Sequence, residues 1–150
     1  MTCYLWVGIS FKRSKNGVTM APLDARSASG SIVNEIATHF PGKSHVFDNV
    51  INYVPELEDG TTRPVMISDF DKSWEAFWLR VERVNPERLI IFVGQTLKYA
   101  RKAERIKCLD KYQLRLVRGI ETMFCDHPSY YNVYKKTLVG DYIRKVVSHL

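Results

Sequence analysis

Cysteine is scarce: Cys3, Cys108 and Cys125 are the three in 150 residues, an odd number with no CxxC spacing. That argues against a disulfide framework and against a thiolate metal site, and it suits a reducing compartment. No metal and no cofactor is expected. Long apolar runs are missing as well. None approaches the roughly 20 residues that a transmembrane helix needs, so no membrane partner is expected. The N-terminal run Met1-Thr2-Cys3-Tyr4-Leu5-Trp6-Val7 has no basic leader and is too short for a signal peptide. It reads as a buried strand, and a cytoplasmic location follows as the expectation. Internal repeats and low-complexity segments are absent too.

What is there is the balance of a globular protein, 45% hydrophobic and 25% charged. The length fits one compact domain over 1–150 with a real core, and a monomer is expected. The formal charge is +6 with a pI near 9.3. A polyanionic partner is therefore plausible, although many basic proteins bind no nucleic acid.

Four short apolar runs alternate with four helical stretches. The runs are Cys3 to Ile9, His45 to Val50, Leu89 to Val93 and Ile120 to Cys125. Leu89-Ile90-Ile91-Phe92-Val93 is continuously apolar, as in a strand covered on both faces. Ile32, Val33, Ile36, Ala37 and Phe40 share one helical face that stops at Pro41-Gly42. Trp74, Phe77, Trp78 and Val81 form a second stripe ending at Asn85-Pro86. A third helix carries Leu97, Ala100 and Ala103 behind Thr96, and a last one carries Tyr142, Ile143, Val146 and Val147. Strand alternating with helix predicts a three-layer α/β/α fold around a central four-stranded, mainly parallel sheet. Ligands of such sheets bind beyond the carboxyl ends of the strands, so the loops after Ile9, Val50, Val93 and Cys125 carry the chemistry.

His127-Pro128-Ser129-Tyr130-Tyr131-Asn132 follows the last run. An imidazole held there can donate a hydrogen bond to an anion forming on a leaving group; a His that only caps a loop is the plain alternative. Asn49, in Asp48-Asn49-Val50, is a costly residue inside an apolar strand. Its amide can pair with a pyrimidine edge, or it can simply turn the chain. Gly8 lets a ligand approach the backbone. Ser27, Ser29 and Ser31 stand at a helix start and can cap it. Lys12, Arg13 and Lys15 add phosphate attraction or form a solvated basic loop.

In order, Val7-Gly8-Ile9-Ser10, Pro22-Leu23 with Ser29-Gly30, Asp48-Asn49-Val50, Ile91-Phe92-Val93-Gly94-Gln95-Thr96 and His127-Pro128-Ser129-Tyr130 span nearly the whole chain. Together they resemble the uracil-DNA glycosylase superfamily, in particular its compact microbial branch. That resemblance implies a monofunctional DNA glycosylase that flips a base out of the stack. Gly8, Ile9 and Asn49 would read the base, and His127 would help expel it. Phe11 or Leu23 would pack against the ring. Lys12, Arg13, Ser129, Lys135 and Lys136 would contact DNA, and Tyr131 would enter the vacated stack as a wedge. The departures concern water. The family places a carboxylate or amide in the first motif where this chain has Ile9 and Ser10. Ser10 can hold a water but is a poor base, and Asp24 is the candidate for the missing carboxylate. Tyr53 stands where the iron–sulfur branch has a cysteine, so no cluster is expected. Ser10 also keeps open a binding module that recognises DNA or a nucleotide without turnover. An enzyme of free nucleosides is the weaker third reading.

Overall fold

The computed structural model describes residues 2–133 and 136–150, with the backbone alone for Asn132, Val133 and Lys136. Its elements alternate as the apolar runs require: β1 (Cys3–Ser10), α1 (Ala28–Ala37), β2 (Ser44–Ile51), α2 (Ile67–Val84), β3 (Arg88–Val93), α3 (Thr96–Ala103), β4 (Arg115–Val117), β5 (Ile120–Asp126), α4 (Pro128–Val133), a 3-10 turn (Lys136–Leu138) and α5 (Val139–His149). The strands form one sheet in the order β2-β1-β3-β5-β4. The pairs β1–β2, β1–β3 and β3–β5 are parallel, and β4 runs antiparallel to β5.

The sheet thus has five strands where the apolar runs predict four. The addition is the three-residue edge strand β4, joined to β5 through Arg118 and Gly119. Both sit at positive φ, 49° and 81°, the two-residue turn that matches the twist of a hairpin. Three residues are too few to show an alternation, and Arg-Gly is not the usual pair for such a turn. The segment after His127 also differs from the expected loop, because Pro128 opens the short helix α4.

Two apolar layers lie on opposite faces of the sheet. Leu5, Val7, Leu89 and Ile91 face α2 and α3, packing with Phe70, Trp74, Phe77 and Trp78. Tyr4, Trp6, Ile90 and Phe92 face α1 and α5, with Ile36, Tyr142 and Val146. Strand side chains alternate between faces, so a strand apolar at every position is one buried twice. No helix among the described residues is long and apolar enough to cross a membrane.

Around this core, ion pairs fix the connections. Asp69, in the first turn of α2, is fully buried. It accepts two bonds from Arg63, at 2.7 and 2.8 Å, one from the Tyr53 hydroxyl at 2.6 Å and one from the Met66 amide at 2.8 Å. The Arg63 guanidinium holds its carboxyl far below the usual carboxylate range. This knot ties 53–66 to the start of α2.

Removing one partner of a buried, fully bonded charge is costly, because the other charge stays buried alone. Arg63→Ala, which strips the cation from the fully buried Asp69 carboxylate, should strongly lower the urea midpoint of unfolding. Arg13→Ala, which breaks a more exposed pair with Glu56, should cost less than about 1 kcal/mol. Equal effects of the two would show that the knot does not hold the loop.

Candidate active site

At the carboxyl ends of β1, β2 and β5 the loops enclose a cavity of about 270 Å³. Its floor follows from strand register. Gly8 in β1 is paired with Asn49 in β2, and the Asn49 carboxamide leans over it. A Cβ on residue 8 would lie 2.6 Å from Asn49 Oδ1, so only glycine leaves that carboxamide where it is. Asn49 is 4% exposed. The Asn49 amide donates to Asp48 Oδ1 at 2.8 Å. From α2, Arg80 donates to Asp48 Oδ2 at 2.8 Å and to the Asn49 carbonyl at 2.7 Å. The backbone is therefore clamped, while the carboxamide has no hydrogen-bond partner among the described residues. A buried amide in that state is set for a ligand edge.

His127 stands on the same cavity, at the end of β5. Its Nδ1 accepts from the Ser129 amide at 3.1 Å and lies 2.8 Å from Ser129 Oγ. A nitrogen that accepts an N–H is unprotonated, so the ring proton sits on Nε2, which becomes the donor. Burial, with the Lys12 charge adding to it, pulls the His127 pKa down to about 4. The ring is neutral at pH 7. The strand end is anchored by Asp126, whose carboxylate accepts from Lys111 at 2.5 Å and Tyr112 at 2.8 Å, and whose carbonyl accepts from Tyr142 at 2.5 Å.

The third wall is the loop before α1. Ser27 caps that helix by accepting from the Gly30 amide at 2.9 Å. The loop folds back so closely that a Cβ at Gly30 would meet the Asp24 carbonyl at 1.9 Å. Gly8, Ile9, Ser10, Phe11, Lys12, Leu23, Asp24, Asn49, His127 and Ser129 all line the cavity. Asp24 does so with its carboxylate engaged: Arg26 donates to it from Nε at 3.0 Å, from Nη2 at 2.7 Å and from its amide at 2.9 Å. It is the one carboxylate among the described lining residues. Its bonds to Arg26 hold it well below the usual carboxylate range.

Two expected DNA contacts are placed elsewhere. Arg13 pairs with Glu56 on the neighbouring loop. Tyr131 does not project as a wedge: its ring stacks on Tyr142 at 4.4 Å, and its hydroxyl is 3.5 Å from Asp126. The adjacent ring, Tyr130, is 48% exposed. Consecutive residues of a helix point about 100° apart, which is why one tyrosine turns inward and the other outward. Lys135 and the side chain of Lys136 lie outside the described residues. Met20, Ala21 and Val65 also line the cavity. These three carry no motif; they belong to the short runs Met20-Ala21-Pro22-Leu23 and Val65-Met66-Ile67. Among the described residues no group of three or more His, Cys, Asp or Glu could hold a metal ion.

No family model and no curated protein matches the chain. Among solved structures it is similar to wild-type SMUG2 of Pedobacter heparinus, with a TM-score of 0.64. The match covers 98% of this chain and 74% of that one at 16% sequence identity. At that identity the likeness establishes a shared fold.

Two outcomes follow from the geometry. An exposed imidazole titrates near 6.5, and His127 does so at about 4. Between those values the unfolded chain takes up a proton that the folded chain rejects, so stability falls as pH drops through this window. The effect is complete below the folded value. His127→Asn should therefore lose less stability than the parent between pH 7 and 5 in urea melts; identical losses would contradict a buried neutral imidazole. Gly8→Ala should displace the Asn49 carboxamide and abolish ligand binding in the cavity while the thermal midpoint changes little. Retained binding would show that the carboxamide is free to move.

Proposed function

We propose that the protein is a monofunctional DNA glycosylase that hydrolyses the N-glycosidic bond of uracil or a modified pyrimidine in DNA and leaves an abasic site. One observation carries the reading: an unpartnered buried carboxamide and a neutral imidazole share one cavity whose floor is opened by Gly8. The shared fold with SMUG2 supports it.

In this reading the target nucleotide leaves the duplex and its base enters the cavity. Asn49 Oδ1 accepts the imide N–H of the pyrimidine, and Nδ2 donates to the adjacent carbonyl. The glycosidic bond breaks with its electron pair moving onto the base. Nε2–H of His127 donates to the base oxygen on which that charge gathers. A neutral donor gains most as the charge appears, so it lowers the barrier more than it tightens substrate binding. Water, positioned by Ser10, then adds to the sugar carbon, and the proton it loses neutralises the departed base anion. Ile9, Phe11 and Leu23 supply the apolar walls. Lys12 and Ser129, with Lys135 and Lys136, contact phosphates, and the exposed Tyr130 takes the wedge position in place of Tyr131. DNA is the partner, the monomer is the working form, and three unpaired cysteines suit the cytoplasm.

One observation favours a second reading, a DNA- or nucleotide-binding module without turnover. Asp24, the lining carboxylate, is committed to Arg26, and Ser10 alone is a weak base. Strand breakage after alkali, in single-turnover reactions on duplexes carrying different bases, decides between them. For a glycosylase, His127→Ala should slow cleavage on the order of 100-fold or more with DNA affinity retained. Asn49→Asp should change which base is accepted, because a carboxylate replaces an amide donor with an acceptor. His127→Ala cleaving as fast as the parent would refute the mechanism; a parent that cleaves no base would establish the binding module.

A further inference from the structure

The net charge of the chain is concentrated in one stretch. Residues 96–118 hold eight Lys and Arg against two acids, while the rest of the chain holds fourteen of each sign. Part of this surplus is locked in pairs: Arg118 with Glu75 and Glu104, Lys111 with Asp126, and Arg101 with Asp110. Lys98, Lys102, Arg105 and Lys107 are exposed and pair with no acid among the described residues. Together with Arg101 they line a groove of about 570 Å³, in which every lining side chain is cationic.

The groove shares no lining residue with the base cavity. It does start close to it: α3 opens two residues after Gly94, a cavity residue, and its eight residues lead away for about 12 Å. Lys98 and Lys102 stand one turn apart on that helix. Arg105 sits just past its end at φ 57°, where the Ile106 amide donates back to the Arg101 carbonyl at 3.1 Å. Glycine is the favoured residue at such a helix stop, since an L side chain is disfavoured there. The chain keeps a cation at this position against its backbone preference.

We propose that this groove binds the phosphate backbone of duplex DNA beyond the nucleotide that enters the cavity, so that the protein grips its substrate at two places. The assignment to DNA rests on the glycosylase reading. A row of unpaired cations without acids is suited to a continuous line of negative charge. A lipid surface asks for apolar side chains to insert beside the cations, and Leu97 and Ala100, the apolar face of α3, are buried against the sheet. An acidic protein asks for aromatic or aliphatic anchors, and the groove has none.

The test is the affinity for a long unmodified duplex, by fluorescence anisotropy between about 50 and 200 mM salt. Three proteins are compared: the parent, a combined Lys98→Ala, Lys102→Ala and Lys107→Ala variant, and Arg105→Gly. Each phosphate contact contributes about −0.9 to the slope of log K against log salt. The triple variant should flatten the slope by up to about three units and bind at least about tenfold more weakly at the lowest salt. Arg105→Gly should raise the thermal midpoint, because the backbone relaxes, yet flatten the slope by about one unit. Opposite signs on stability and binding separate a lost contact from a damaged fold. Slopes equal to the parent's in both variants overturn the proposal, whether or not the parent cleaves any base. Loss of binding to phosphatidylserine vesicles with an unchanged duplex slope overturns it as well and assigns the face to lipid. A flattened slope in a parent that cleaves nothing leaves the groove standing and removes only the glycosylase reading.

Discussion

Gly8 and Asn49 face each other across the parallel pair β1–β2, and the cavity depends on that alignment. Neighbouring strands lie about 4.8 Å apart, so the carboxamide occupies the space that a side chain at position 8 would need. A slip of one residue would turn Asn49 to the opposite face and bring a bulkier neighbour against it. The core prevents that slip. Trp6 pairs with Phe47 in the same ladder, and its indole N–H donates to His45 Nδ1 at 3.0 Å. Arg80, from α2, adds a clip on Asp48 and Asn49 near the end of β2. The functional geometry is therefore inherited from the packing of the sheet rather than built by the loops.

Charge is divided between two tasks. The ion pairs Arg63–Asp69, Arg26–Asp24, Arg80–Asp48 and Lys111–Asp126 secure the chain around the cavity. Inside, Lys12 is the one cation among the described lining residues, and the Asn49 carboxamide, the Ser10 hydroxyl and the His127 imidazole are uncharged at pH 7. In the proposed reaction, an anion forming on the base would meet the fixed dipole of His127, which needs no rearrangement at that moment.

The four long strands were legible in the sequence because their apolar runs are continuous, and Gly8, Asn49, Gly94 and His127, at or just beyond their carboxyl ends, line the cavity. The shortest strand was not, since Arg115-Leu116-Val117 has no period to read. Tyr131 was misplaced because motif position ignores helical rotation: α4 is a helix, started by a proline that suits a first turn, and it sends adjacent tyrosines in different directions. Asp24 illustrates a different limit. The sequence reveals an acid near the site, but whether its oxygens are free depends on how Arg26 folds back two residues later. Val65 lies beyond any local signal, since the Asp69 knot brings its segment over the cavity.

The cavity walls meet only through pairings between distant parts of the chain. Gly8 and Asn49 are separated by 41 residues, and His127 comes from the far end of the strand that β3 pairs with. Parallel pairings of this kind are closed late, because their loop entropy must be overcome before they gain contacts. A nascent or half-collapsed chain therefore contains both the amide and the imidazole but no place where they meet. The cavity is complete only once these pairings have closed, so a half-folded copy has no pocket in which one ligand could meet both groups.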